Sequence, residues 1–239
     1  ARAMAPLLGP DTAIVSFQNG VDGWERIGAI AGPGRVIGGI ARIPADLRAP
    51  GLVSHNGPFH TLVFGEFDGT ETARCRALRD ALQAGGVDAH LVPDIQVKIW
   101  EKFILLSTLS ALTALTRLPI GRIRRDPAAA VLVERAIAEA AAVGRARCAD
   151  LPADAEARAA ATIAGLPEGM RASMLDDLER GKPLELQSLS GTVARLAAAH
   201  GIAAPTHDVV ARALHPYAQG APSQAPARAP ARAPSVAPS

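Results

Sequence analysis

Apolar positions up to Val92 fall in short runs separated by Gly, Pro and Asn; beyond about Ile95 they take a helical spacing and alanine becomes abundant. The run over residues 12–18 ends at Asn19-Gly20, which predicts a buried strand delivering a polar turn at its carboxyl end. A helix over 21–31 follows, then a turn at Gly32-Pro33-Gly34 and a strand over 35–43. The stretch through Pro44 and Pro50 reads as a loop. Residues 52–55 and 61–64 read as two strands joined by a turn at Asn56-Gly57. An amphipathic helix over 70–84, stopped by Gly85-Gly86, leads into a last strand over 89–92. This alternation is half of an α/β layered domain.

The second region opens with a helix over 95–116 that is apolar nearly all round, the pattern of a central core helix. Asp126-Pro127 is an N-cap with proline at the first helical position, starting a helix that runs to about Arg147. Further helices are predicted over 153–164, 168–180, 183–200 and 206–214, with Gly181 and Gly201 at two of the stops. No strand signal follows Val92, so this region is a helical bundle. From Gly220 to Ser239 the chain is Ala, Pro, Ser, Gln and Arg with a single Val and no periodic apolar face, the composition of a disordered tail.

The chain has 239 residues, 49% of them hydrophobic, enough to bury a substantial core. A net charge of +2 and an aromatic content of 3% argue against nucleic acid as a partner and favour a small molecule. The apolar run from Phe103 to Leu115 is interrupted by four hydroxyl residues and falls short of the roughly 20 residues that cross a bilayer, so no membrane role is expected. Cys75 and Cys148 form neither a metal-ligand pattern nor a disulfide framework, which fits a reducing cytoplasm. The six histidines include no HExxH pair and no Cys–His cluster, so no metal site is expected.

Lysine is the informative residue. Of 25 basic residues only Lys98, Lys102 and Lys182 are lysines, and Lys102 abuts the apolar run Phe103-Ile104-Leu105-Leu106. An ammonium at a desolvated site loses hydration, its pKa falls, and it becomes a proton donor near neutral pH, a task arginine cannot perform. The alternative for Lys102 is a side chain snorkelling to the surface, and Lys98, one turn earlier, competes for the same role. Asn19-Gly20 is first of all a turn dipeptide, yet ligands of open α/β sheets bind at such strand ends. Glu185 lies in the first turn of a predicted helix, where the macrodipole favours a carboxylate, and it is also a candidate anionic partner for Lys102. Ser173 alone reads as a helix-surface serine. Gly32-Pro33-Gly34 imitates a dinucleotide fingerprint but lacks the third glycine and precedes a strand.

Taken as an ordered set, Phe17-Gln18-Asn19-Gly20-Val21, Pro50-Gly51, Phe64-Gly65-Glu66, Trp100-Glu101-Lys102-Phe103 and Ala172-Ser173-Met174-Leu175-Asp176-Asp177 with Glu185 resemble the ketopantoate reductase (2-dehydropantoate 2-reductase) family over about residues 1–215. The resemblance implies an α/β partial Rossmann domain (1–93), an all-α domain of the 6-phosphogluconate dehydrogenase C-terminal type (94–218) and the tail (219–239). It implies NADPH-dependent reduction of 2-dehydropantoate to pantoate, for pantothenate synthesis, with Lys102 as catalytic proton donor. Asn19 matches the asparagine that contacts cofactor and substrate, Glu185 the glutamate near lysine and cofactor, and Ser173 the substrate-binding serine. The family's GxGxxG is missing: the first strand here aligns with a late Rossmann strand, so roughly the first 80 residues of a family member have no counterpart and the pyrophosphate cradle is expected to be absent. Positions commonly asparagine in the family are Leu106, Ser110, Ile120 and Met170, of which only Ser110 keeps a polar group for substrate. A more apolar keto acid or ketone is therefore a second expected substrate. The rival expectation is a non-catalytic folding or dimerisation module, and a second copy of the chain is a candidate partner.

Overall fold

The computed structural model describes residues 2–55 and 60–221. Both the Asn56-Gly57 turn and nearly all of the Ala/Pro-rich tail lie outside the described residues. The elements are β1 (Ile14–Ser16), α1 (Gly23–Ala31), β2 (Val36–Arg42), β3 (Ala45–Ala49), β4 (Leu52–His55), β5 (Thr61–Gly65), α2 (Ala73–Ala84) and β6 (Asp88–Leu91). Seven α-helices follow among the described residues: α3 (Ile95–Thr116), α4 (Ile120–Arg125), α5 (Pro127–Arg147), α6 (Ala155–Gly165), α7 (Ser173–Glu179), α8 (Ser190–Ala199) and α9 (Pro205–Ala213). Among the described residues no strand occurs after β6.

A four-stranded sheet has the order β1-β2-β5-β6, with β1–β2 and β5–β6 parallel and β2–β5 antiparallel. Its two faces follow from strand alternation. Ile37 and Phe64 face α2, where they pack with the fully buried Cys75 and with Leu78 and Leu82. Gly38, Ile40, Val63 and Gly65 lie on the opposite face, against Ile95 and the start of α3. Gly65 is required there: a Cβ would stand 2.1 Å from the Val92 carbonyl oxygen, so the sheet closes onto the chain entering α3 only because position 65 has no side chain. α3 is 22 residues long and meets the length and hydropathy of a membrane span, but 67% of its apolar window is buried inside the fold. It is the central core helix that the all-round apolar pattern predicts.

Capping also follows the sequence. The Asp126 carboxylate accepts hydrogen bonds from the Ala128 and Ala129 amides at 2.9 and 3.0 Å, with Pro127 as the first residue of α5. Deeper in the bundle, the buried Glu139 carboxylate accepts the amides of Thr206 and His207, tying the start of α9 to α5. Burial pushes the His207 imidazole pKa down, so the ring is neutral and bridges Ser190 Oγ and the Ala136 carbonyl.

Four sequence expectations are corrected. The stretch between Pro44 and Pro50, read as a loop, contains β3, which pairs antiparallel with β4 around a two-residue Pro50-Gly51 turn; Gly51 at φ 77° supplies the left-handed position. β4 and β5, expected as neighbours across a turn, lie in different sheets. The helix predicted over 168–180 is reduced to α7, because the Glu168 and Met170 carbonyls accept the Gly121 and Ile120 amides of an additional helix, α4. The helix predicted over 183–200 is broken at Leu189 (φ −111°, ψ −101°) into a 3-10 turn, Glu185–Ser188, and α8. Leu186 and Leu189 are both fully buried, and three-residue spacing places them on one side of such a turn.

Candidate active site

β1 ends at Ser16 and delivers Phe17, Gln18 and Asn19 to a corner at Gly20, whose φ of 105° favours glycine. A Cβ on Gly20 would come within 3.3 Å of the Ser188 carbonyl oxygen, so the corner and the Glu185–Ser188 turn meet backbone to backbone. That contact sets Asn19 beside Glu185: Asn19 Nδ2 donates to the carboxylate oxygens at 3.1 and 3.5 Å. Asp22, at the start of α1, pairs with Arg195 of α8 at 2.5 Å, and Glu25 pairs with Arg147 of α5, holding α1 against the helices.

Lys102 reaches the same corner from α3. Its Nζ donates to Asn19 Oδ1 and to the Ala41 carbonyl oxygen on β2, each at 3.0 Å. The side chain is half-buried, with Ile40, Ile99, Phe103 and Leu106 lining the crevice around it. Burial pushes its pKa below the usual 10.5, the positive charge of Arg42 pushes the same way, and Glu185 opposes both. An ammonium has three protons and two are committed here, so one N–H remains for an acceptor such as a ketone oxygen. Lys98 is committed elsewhere: it pairs with Asp94 and Glu101, and these carboxylates raise its pKa.

A cleft of about 980 Å³ opens on the other side of Asn19, bounded by Phe17, Arg26, Ile27, Glu185 and Ser188. Lys102 is not part of its lining; Asn19 stands between the two spaces.

Three of the sequence candidates thus form one hydrogen-bonded series, Lys102–Asn19–Glu185. The two serines do not join it among the described residues. Ser173 is exposed as the first residue of α7, whereas Ser110 is fully enclosed in α3 with an Oγ that has no hydrogen-bond partner. Leu106 borders the lysine crevice, Ile120 is buried, and Met170 is exposed. The Ala41 carbonyl and the Arg42 charge were missed, since neither a main-chain acceptor nor one arginine among many carries a sequence signal.

The sequence model described as "Ketopantoate reductase PanE/ApbA C terminal" matches residues 94–218, more than half of the chain, and that described as "Ketopantoate reductase PanE/ApbA" matches residues 1–69. The chain belongs to the ketopantoate reductase family. It is 31% identical over 228 residues to the 2-dehydropantoate 2-reductase of Mesorhizobium japonicum, covering 87% of this chain and 69% of that relative. The PanE/ApbA family ketopantoate reductase of Ralstonia eutropha superposes with a TM-score of 0.80 at 27% identity, over 90% of this chain and 70% of that one. The 2-dehydropantoate 2-reductase of Geobacter metallireducens gives a TM-score of 0.78 at 29% identity, over 89% and 70%. These likenesses settle the family and its layout of an N-terminal α/β region followed by a helical one.

Proposed function

We propose that this protein reduces the keto group of a 2-keto acid, 2-dehydropantoate or a more apolar relative, with Lys102 as the proton donor and NADPH as the hydride source. In this reading residues 1–93 are the nucleotide-binding part, residues 94–218 the helical substrate part, and the reaction takes place in the cytoplasm. The observation that carries it is the Lys102 ammonium, desolvated and held by Asn19 Oδ1 and the Ala41 carbonyl with one proton uncommitted. The residues present fit the nicotinamide end of the cofactor: a cleft adjoins Asn19 and Glu185, with apolar Phe17 and Ile27 in its wall. The bound cofactor would supply hydride to the keto carbon. As negative charge develops on the keto oxygen, the Lys102 ammonium stabilises it and then transfers a proton to it. Asn19 orients the ammonium, and Glu185 fixes the Asn19 amide so that its oxygen faces the lysine. Leu106 and Phe103 keep water from the amine. Ser173 is a substrate-binding hydroxyl in this reading, and Ser110 becomes one only where the packing around α3 admits a ligand.

The test is oxidation of NADPH, followed by its absorbance, on addition of 2-dehydropantoate and of bulkier 2-keto acids. A kcat/KM favouring one of these acids supports the proposal, and titration of the full chain with no cofactor binding and no turnover would favour the folding module instead. Replacing Glu185 with Gln removes the charge that raises the Lys102 pKa. The rate falls as pH rises through that pKa, because the donor is lost, so Glu185→Gln is expected to move this basic limb to lower pH. An unmoved limb in the pH profile of kcat/KM would contradict the assigned electrostatics.

A further inference from the structure

Arg42 ends β2, directly after the residue whose carbonyl holds Lys102 Nζ. Its side chain is exposed and makes no hydrogen bond or ion pair among the described residues. Five other arginines are tied to carboxylates, Arg74 to Glu66, Arg145 to Glu156, Arg147 to Glu25, Arg171 to Asp176 and Glu179, and Arg195 to Asp22; what sets Arg42 apart is its place beside the lysine. Strand alternation puts Arg42 on the same face of β2 as Ile40, which lines the lysine crevice, and from there its charge bears on the Lys102 ammonium as a like charge. Two cations placed together repel, and the Glu185 carboxylate reaches only the lysine side, through Asn19. An anion between them would relieve the repulsion. A 2-keto acid carries its carboxylate on the carbon next to the keto group, so an oxygen held by Lys102 leaves that carboxylate within the neighbourhood of a flexible arginine. The guanidinium fork matches a carboxylate in a bidentate manner.

We propose that Arg42 is the anchor for the substrate carboxylate, making this site selective for 2-keto acids over neutral ketones. The inference rests on the reductase reading above and specifies its substrate class: a keto acid whose carboxylate lies toward the exposed Arg42 while its keto oxygen reaches Lys102.

The chain has lysine only at 98, 102 and 182, so protein labelled with [13Cε]lysine gives three assignable signals whose pH titrations can be followed by NMR. The probes are 3-methyl-2-oxobutanoate and its methyl ester, each added with NADP+ present. In the unaltered protein the acid should raise the Lys102 pKa by neutralising Arg42, and the ester should not. Arg42→Ala, at an exposed position with no side-chain partner among the described residues, should leave the fold intact as monitored by its melting temperature. It should raise the ligand-free Lys102 pKa and weaken binding of the acid by about tenfold or more, with the ester unaffected. Arg42→Lys should restore part of the acid binding. Acid binding by Arg42→Ala within twofold of the unaltered protein would overturn the anchor alone. Failure of the unaltered protein to bind either probe would overturn the reductase reading, and the anchor with it.

Discussion

Lys102→Ala is expected to lower kcat for keto reduction by about 10^3-fold or more while the protein remains folded. General acid catalysis contributes roughly 10^2–10^4-fold, and the same ammonium also stabilises the developing alkoxide. Lys102→Arg should not rescue the rate: it keeps a positive charge, but guanidinium does not release its proton, and its planar fork does not reproduce two 3.0 Å bonds converging on one nitrogen. Steady-state kinetics on all three proteins provide the check, and turnover by Lys102→Ala equal to that of the unaltered protein would sink the assignment. Stability carries a second signature of the same group. Because the folded-state pKa lies below the ordinary 10.5, the unfolded chain binds more protons than the native one between those two values. Stability contributed by this group therefore rises with pH through that window. Lys102→Ala should flatten the rise, which denaturant titrations at several alkaline pH values would measure.

Gly65→Ala should be the most damaging small substitution in the α/β region. The added methyl would lie 2.1 Å from the Val92 carbonyl oxygen, a main-chain atom that no side-chain rotation can move aside. The chain leaving β6 must then withdraw from β5, which threatens the Val92 amide to Phe64 carbonyl bond at 3.0 Å and the approach of Ile95. Overpacking ordinarily costs about 1–3 kcal/mol, and this geometry belongs at or above the upper end. For a domain of this size about 3 kcal/mol corresponds to a fall in Tm of roughly 6–12 °C. Gly23→Ala is the control: nothing lies within 4 Å of its added Cβ, and it sits at the start of α1, so its Tm should hold or rise slightly. Equal melting of the two variants would show that the close approach at Gly65 is unimportant.

Much of the fold is legible because its signals are local. Asp126 and Pro127 announce α5 within three residues of the amides they serve, and the all-round apolar pattern of α3 requires a central position wherever the rest of the chain lies. Misreadings occur where a distant segment takes over the backbone. Residues 168–172 read as helix, yet the Glu168 and Met170 carbonyls are claimed by α4, and the turn at Glu185–Ser188 departs from the α-helix where it meets the Gly20 corner. β3 was missed for a different reason: flanking prolines suggested a loop, while the Pro50-Gly51 turn supports a small hairpin.

The candidate site divides along the same line. Residue chemistry by itself singled out a lysine in apolar company, and the order of motifs along the chain indicated the family. Lys102 and Asn19 are 83 positions apart, and Asn19 and Glu185 are 166 apart. No periodicity or cap spans such separations. Only the packing of α3 and the Glu185–Ser188 turn against the end of β1 decides that these three side chains meet, that the Ala41 carbonyl holds the ammonium, and that Arg42 bears on it with no side-chain partner of its own among the described residues. Local sequence governs the elements through hydrogen bonds and side-chain periodicity within a few residues, whereas the electrostatics of the amine depend on burial, a property created by the assembled fold.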